Sequence, residues 1–137
     1  MAGEVEYTIE QLAVPDSLQE LHALLEQIGT EHPQVDESDL MMFETAVIEI
    51  AGNVIEHGTP SGQVVFVFHF TIHQDRLECR LSDTSALPVP AIDAPSMPQD
   101  PSDEDGRGLA LAHAVLDRME CRHQDGVNHW TLVRNRR

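Results

Sequence analysis

The chain has 137 residues, 41% hydrophobic and 23% charged, with 24 acids against 8 bases and a formal net charge of −16. That is the length of one domain with enough apolar residues for a real core, and it excludes wholesale disorder, a fibrous repeat and a membrane span of about 18 apolar residues. Such acidity also argues against direct binding to nucleic acid or anionic membrane, and favours a basic protein partner or none.

Residues 4–12, EVEYTIEQL, alternate Val5, Tyr7 and Ile9 with Glu6, Thr8 and Glu10, which predicts a half-buried strand. Pro15 with Asp16 and Ser17 opens a helix over 16–28, carried by Leu18, Leu21, Leu24, Leu25 and Ile28 and stopped at Gly29. A second helix is capped by Asp36 or Ser38. It places Leu40, Phe43, Val47, Ile50 and Val54 on one face and ends at His57-Gly58. Residues 63–73, QVVFVFHFTIH, are β-branched and aromatic and read as a strand. Residues 76–82 form another, with Leu77, Cys79 and Leu81 on one face. Residues 86–105 hold five of the eight prolines and five acids, a long loop of the kind that serves as a lid. A helix then opens at Gly106-Arg107-Gly108, and residues 119–124 and 127–134 form a hairpin turning at Asp125-Gly126. The order predicts an α+β two-layer sandwich, with helices on one face of a mixed, mostly antiparallel sheet.

Two cysteines, Cys79 and Cys121, make no disulfide framework, and the segment MAGEVEYTIEQL has no secretory character, so the expected location is cytoplasmic. Charge is unevenly spread: residues 1–75 hold 14 acids and no base, whereas residues 106–137 hold 3 acids and 6 arginines.

Three features bear on chemistry. Glu49 and Asn53 are one helical turn apart, beside the apolar stripe. An amide oxygen suits Mg²⁺, and a carboxylate beside it can take a proton from a hydroxyl. Asp83 ends a strand before the lid, where an ionised carboxylate can accept from a purine amino group. Gly106-Arg107-Gly108 offers close backbone approach, free helix N–H groups and a guanidinium to a phosphate. Each alone has an ordinary reading: a solvated helix flank, a turn aspartate, a loop-to-helix turn. The chain has no lysine, so a Walker phosphate loop is excluded.

In this order the features resemble the N, G1 and G2 boxes of the GHKL (histidine kinase-like) ATPase superfamily, across roughly residues 5–134. The length, His57-Gly58 after the asparagine and GRGLALAHAVLD after the lid resemble the stand-alone anti-sigma factor serine/threonine kinases. The resemblance implies a Bergerat-type single domain over residues 1–137, with a lid at about 85–105. It implies ATP and Mg²⁺ as cofactors, Asn53 as Mg²⁺ ligand and Glu49 as catalytic base. Asp83 would read the adenine, and His57, Gly106, Arg107, Gly108 and Leu109 would hold the nucleotide. Thr131 would support the adenine site from the last strand. One departure is plain: the family's Asp-x-Gly reads Asp83-Thr84-Ser85 here, and serine fills space that glycine leaves open beside the nucleotide.

The implied function is that of a kinase and anti-sigma factor. It would bind a basic sigma factor, phosphorylate a STAS-type anti-anti-sigma protein and possess the option of a homodimer. A docking module that regulates by binding alone is the alternative. Acids of the first helices, such as Glu20, Glu26, Glu31 and Glu37, are expected to face the sigma factor.

Overall fold

The computed structural model describes residues 4–58, 64–84 and 104–137, and among these all side chains except those of 57–58 and 104–107. The lid and Ser85 lie outside the described residues. Among the described residues eight elements follow one another: β1 (Val5–Leu12), α1 (Ser17–Glu31), α2 (Glu37–Gly58), β2 (Val65–Ile72), β3 (Arg76–Asp83), α3 (Glu104–Val115), β4 (Arg118–Gln124) and β5 (Val127–Asn135). The strands form one sheet in the order β1-β2-β3-β5-β4, and every pairing is antiparallel. The α+β class and the helical layer are as the sequence predicts. Among the described residues the sheet has no parallel pairing, where a mixed sheet would contain some.

The inner face of the sheet is set by strand parity. Phe66, Phe68 and Phe70 of β2, Leu77, Cys79 and Leu81 of β3, and Trp130 and Leu132 of β5 are all buried. Against them lie Leu21, Leu25 and Ile28 of α1 and Phe43, Val47 and Ile50 of α2, with the Phe43 ring edge-on to Phe70 at 6.4 Å. Burying aromatic side chains of this size dominates a core, and losing one to alanine typically costs about 3–5 kcal/mol. The Asp125-Gly126 hairpin turn has positive φ at both central residues, 54° and 78°, which is why Asp-Gly occupies it.

Three local expectations are revised. Helix α1 runs through Gly29 to Glu31, because that glycine fills a close approach to α2 rather than a stop: a Cβ there would lie 2.7 Å from Leu40 Cδ2. Asp16 makes no side-chain cap, and Ser17 instead donates to the Leu12 carbonyl at 2.6 Å. Helix α3 begins at Glu104, so Gly106 and Gly108 sit inside its first turns. Asp36 does cap α2, accepting from the Ser38 and Asp39 N–H groups at 2.8 and 3.2 Å.

A buried ion pair joins the layers. Asp39, near the start of α2, accepts from Arg134 of β5 through Nε at 3.1 Å and Nη2 at 3.0 Å, with side chains only 1% and 8% exposed. The second Asp39 oxygen accepts the Arg137 backbone N–H at 2.7 Å, and Arg134 Nη1 donates to the Val115 carbonyl at the end of α3. Removing one member leaves the other charged and buried. Arg134→Ala is therefore expected to lower unfolding free energy by about 3–5 kcal/mol. The double variant Asp39→Leu/Arg134→Met should lose less than the single one, as read by urea denaturation.

Candidate nucleotide site

Glu49 and Asn53 both lie on the half-exposed flank of α2, one turn apart and clear of the buried stripe. Gly52, between them, opens onto free space: a Cβ there meets nothing within 4 Å among the described residues. Facing Glu49 is α3. A Cβ on Gly108 would stand 2.6 Å from Glu49 Oε2, so the helix carrying the glycines rests directly on this carboxylate. The structure thus brings together Glu49 and Gly108, the members of two motifs 59 positions apart in sequence. His57 lies in the last turn of α2, and Gly106 and Arg107 in the first turn of α3. Leu109 is half-buried and packs against the hydrophobic core.

Asp83 is the last residue of β3, on the inward-facing row of Leu77, Cys79 and Leu81, and is wholly buried. Burying a carboxylate in an apolar layer is unfavourable unless its oxygens are hydrogen-bonded. Here Oδ1 accepts from Asn128 Nδ2 at 3.0 Å and Oδ2 from Trp130 Nε1 at 2.9 Å. With its amide nitrogen turned to Asp83, Asn128 presents Oδ1 to His123 Nδ1 at 2.7 Å, which makes that ring nitrogen the donor. The half-buried Cys121 thiol, on the inward side of β4, is pushed up to about 12 by burial and then by the Asp83 charge. Burial also pushes up the Cys79 thiol, so neither cysteine is a reactive thiolate.

Thr131 is not part of this cluster. It stands in register with Arg80 and Glu120 on the outer face of the sheet, in a depression of about 460 Å³ that Arg80, Arg118, Arg122, His69 and His129 also line. The β5 residue in register with Asp83 is Asn128. The sequence contained the signal for this: Trp130 and Leu132 are the large apolar residues of the strand and define its inward row, which includes Asn128 and excludes Thr131. Asn128 and Trp130, which hold Asp83, are residues that sequence reasoning missed.

Among the described residues, no group of three His, Cys, Asp or Glu side chains could hold a metal. His69 bonds to Thr8 and Glu6, and His73 to Glu4 and Glu78, so both serve cross-strand pairing. No described helix is long and apolar enough to cross a membrane.

The histidine kinase-like ATPase domain model matches residues 12–134. No curated protein matches. Among solved structures, the chain is similar to the crystal structure of the RsbU and RsbW domains of Rv1364c from Mycobacterium tuberculosis, with a TM-score of 0.66 and 20% sequence identity. That match covers 97% of this chain and 33% of the other, so this chain spans about a third of its neighbour's length. At that identity the likeness is one of fold. The family match takes in β2 through α3 and all the residues of the candidate site, and the chain belongs to the histidine kinase-like ATPase domain family.

Proposed function

We propose that the chain is an ATP-dependent serine/threonine kinase that also sequesters a sigma factor, with a STAS-type anti-anti-sigma protein as its phosphorylation substrate. The observation that carries this reading is the contact between Glu49 on α2 and Gly108 on α3, which sets a carboxylate against a glycine-rich helix start. A helix start with free N–H groups attracts phosphate oxygens, and Gly106 lies in that first turn. Arg107, in the same turn, supplies a positive charge in an otherwise acidic chain. Asn53 and the open ground beside Gly52 fit a hydrated Mg²⁺, which usually keeps several waters and takes few protein ligands. When bound, Mg²⁺ would offset the triphosphate charge. Glu49 would accept the proton of the substrate hydroxyl as its oxygen bonds to the γ-phosphorus and ADP leaves. Such transfer depends on positioning and charge neutralisation.

The sigma-binding arm draws on a groove between α1 and α2. It has a volume of about 580 Å³, with Glu26, Glu37 and Glu44 around Gly29, Val35 and Leu40. Of the four acids expected to face a partner, Glu20 is engaged by Gln11, and Glu31 by Tyr7 and Gln27, whereas Glu26 and Glu37 line this groove. A basic, amphipathic segment of a sigma factor has the complementary charge.

A second reading, a docking module with weak or no catalysis, is favoured by one observation: Asp83 is already bonded by Asn128 and Trp130.

Radiolabel transfer from ATP to a STAS protein separates the two. Glu49→Ala is expected to abolish transfer while holding ATP affinity within a few-fold, because a base acts mainly in the transition state. Asn53→Ala should remove the Mg²⁺ dependence of ATP binding in calorimetry. If the wild-type chain binds ATP and labels no STAS partner, the docking reading stands.

Gly108→Ala tests the contact itself. The atom it would strike is the free end of the Glu49 side chain, which can swing aside. Melting should therefore show a change of no more than about 1 kcal/mol, since alanine is also the better helix former, while phosphate transfer is lost. Loss of fold with loss of transfer would deny that the contact is a working one.

Glu26→Lys/Glu37→Lys should slow association with the sigma factor and flatten its salt dependence in surface plasmon resonance, leaving ATP binding unchanged. A wild-type association rate that does not respond to salt would dismiss the groove.

A further inference from the structure

In a chain of net charge −16, the depression of about 460 Å³ on the outer face of the sheet is lined by three arginines, Arg80, Arg118 and Arg122, and by no acid. Strand pairing sets its polar groups out in rows. Arg80 faces Thr131 across the β3–β5 ladder, and in the next outward row Ser82 and Arg122 flank His129. Two of the guanidiniums are oriented by carboxylates outside the lining: Arg80 Nε donates to Glu78 at 3.1 Å and Arg118 Nε to Glu120. Each of those bonds uses a single N–H of a planar fork and leaves the Nη groups over. Those Nη groups, the whole Arg122 guanidinium, the His129 ring and the Ser82 and Thr131 hydroxyls make no hydrogen bond among the described residues. Net charge alone does not make this an anion site, because Glu78 and Glu120 offset two of the three guanidiniums. Direction does: the side chains around the depression offer many donors and few acceptors.

We propose that this depression binds a small anion carrying two or more phosphate groups. Its volume lies in the range of small-molecule sites. Guanidinium forks from two strands, with hydroxyls between them, call for an acceptor whose oxygens point several ways. A tetrahedral phosphate has that shape, whereas a carboxylate offers two oxygens in one plane. The donors are also spread out. From Arg118 to Arg122 along β4 is about 13 Å, and from β4 across β5 to β3 about 10 Å. Linked phosphates fill such a spread better than one. The site is separate from the candidate nucleotide site, since it lies on the other side of the sheet from Asp83 and from the helices that carry Glu49 and Gly108. The Arg80 and Arg118 side chains are 72% and 60% exposed, so binding there is screened by salt. Glu78 and Glu120 act as positioning residues: they aim the guanidiniums and do not touch the anion.

Calorimetry with inorganic pyrophosphate at low salt, with EDTA present to remove divalent cations, tests the site. Saturable binding of one pyrophosphate per chain is expected, weakening as salt is raised. Arg80→Gln and Arg122→Gln should each weaken it about tenfold, the loss of a hydrogen bond to a charged group. Both side chains stand in solvent, so melting should hardly change. Arg122→Lys keeps the charge without the fork and should recover only part of the affinity. Wild-type protein followed by NMR needs no variant: pyrophosphate should shift the amides of Arg80, Ser82, Arg122 and His129. Shifts confined to other residues, or no heat at low salt, would overturn the proposal. So would full affinity in the double variant Arg80→Gln/Arg122→Gln. Loss in Arg107→Gln instead would place the anion at the start of α3 and remove it from the sheet. An oligoglutamate peptide that binds as tightly as pyrophosphate would overturn phosphate as the ligand class. Failure of Mg²⁺-ATP to bind would count against the nucleotide reading alone, because pyrophosphate binding without Mg²⁺ is scored on different residues.

Discussion

The buried Asp39–Arg134 pair is the fixed point from which the site is laid out. It joins the start of α2 to the end of β5, and Arg134 also reaches the final carbonyl of α3. Three elements therefore leave one anchor. Along α2, ten residues later, comes Glu49, about 15 Å away at helical rise. Back along α3, seven residues from Val115, comes Gly108, about 10 Å away. Back along β5, four and six residues from Arg134, come Trp130 and Asn128, at roughly 13 and 20 Å. Helices α2 and α3 are thus clamped at one end and touch again where Gly108 meets Glu49. A charge pair excluded from water tolerates little drift, because either partner alone is costly to bury. That intolerance is what holds the far ends in register.

At those far ends two carboxylates live in opposite surroundings. Glu49 is half-exposed on a helix flank beside open space, whereas Asp83 is sealed under the helical layer. The first is open to solvent and to whatever arrives from it. The second can do nothing with water and acts only through what bonds to it. This division follows from where the two residues sit: a residue on the flank of α2 stays wet, and one on the inward row of β3 does not. It also explains why Asp83 needs Asn128 and Trp130 at all. Without them, a charge would sit in a layer of phenylalanine and leucine.

Much of this was legible in the sequence. Alternation in β3 announced Leu77, Cys79 and Leu81 as inward, and extending it by two residues places Asp83 on the same row. The Asp-Gly turn fixed the β4–β5 hairpin, and helical spacing in α2 separated Glu49 and Asn53 from the apolar stripe. What escaped were long-range facts. Gly29 reads as a stop, because nothing local shows that Leu40 will lie against it. Asp39 and Arg134 look like surface charges until the fold brings residues 95 positions apart together. Resemblance alone points to Thr131, whereas strand parity puts its side chain on the other side of the sheet from Asp83. Pattern within an element was readable; the partner of an element was not.

The charge asymmetry resolves into two layers. Arginines 76, 80, 118 and 122 belong to the sheet, where Arg80 pairs with Glu78 and Arg118 with Glu120. The acids of the α1–α2 groove have no such arginine among the described residues. Burial pushes the Glu44 carboxyl above its ordinary range, His22 works against the rise and Glu26 adds to it. A cationic group seated there would meet three acids of opposite charge, Glu26, Glu37 and Glu44. Glu44 lies only five residues before Glu49 on the same helix, about 7.5 Å along its axis. One rigid helix consequently carries the acidic groove on one flank and the candidate catalytic carboxylate on another.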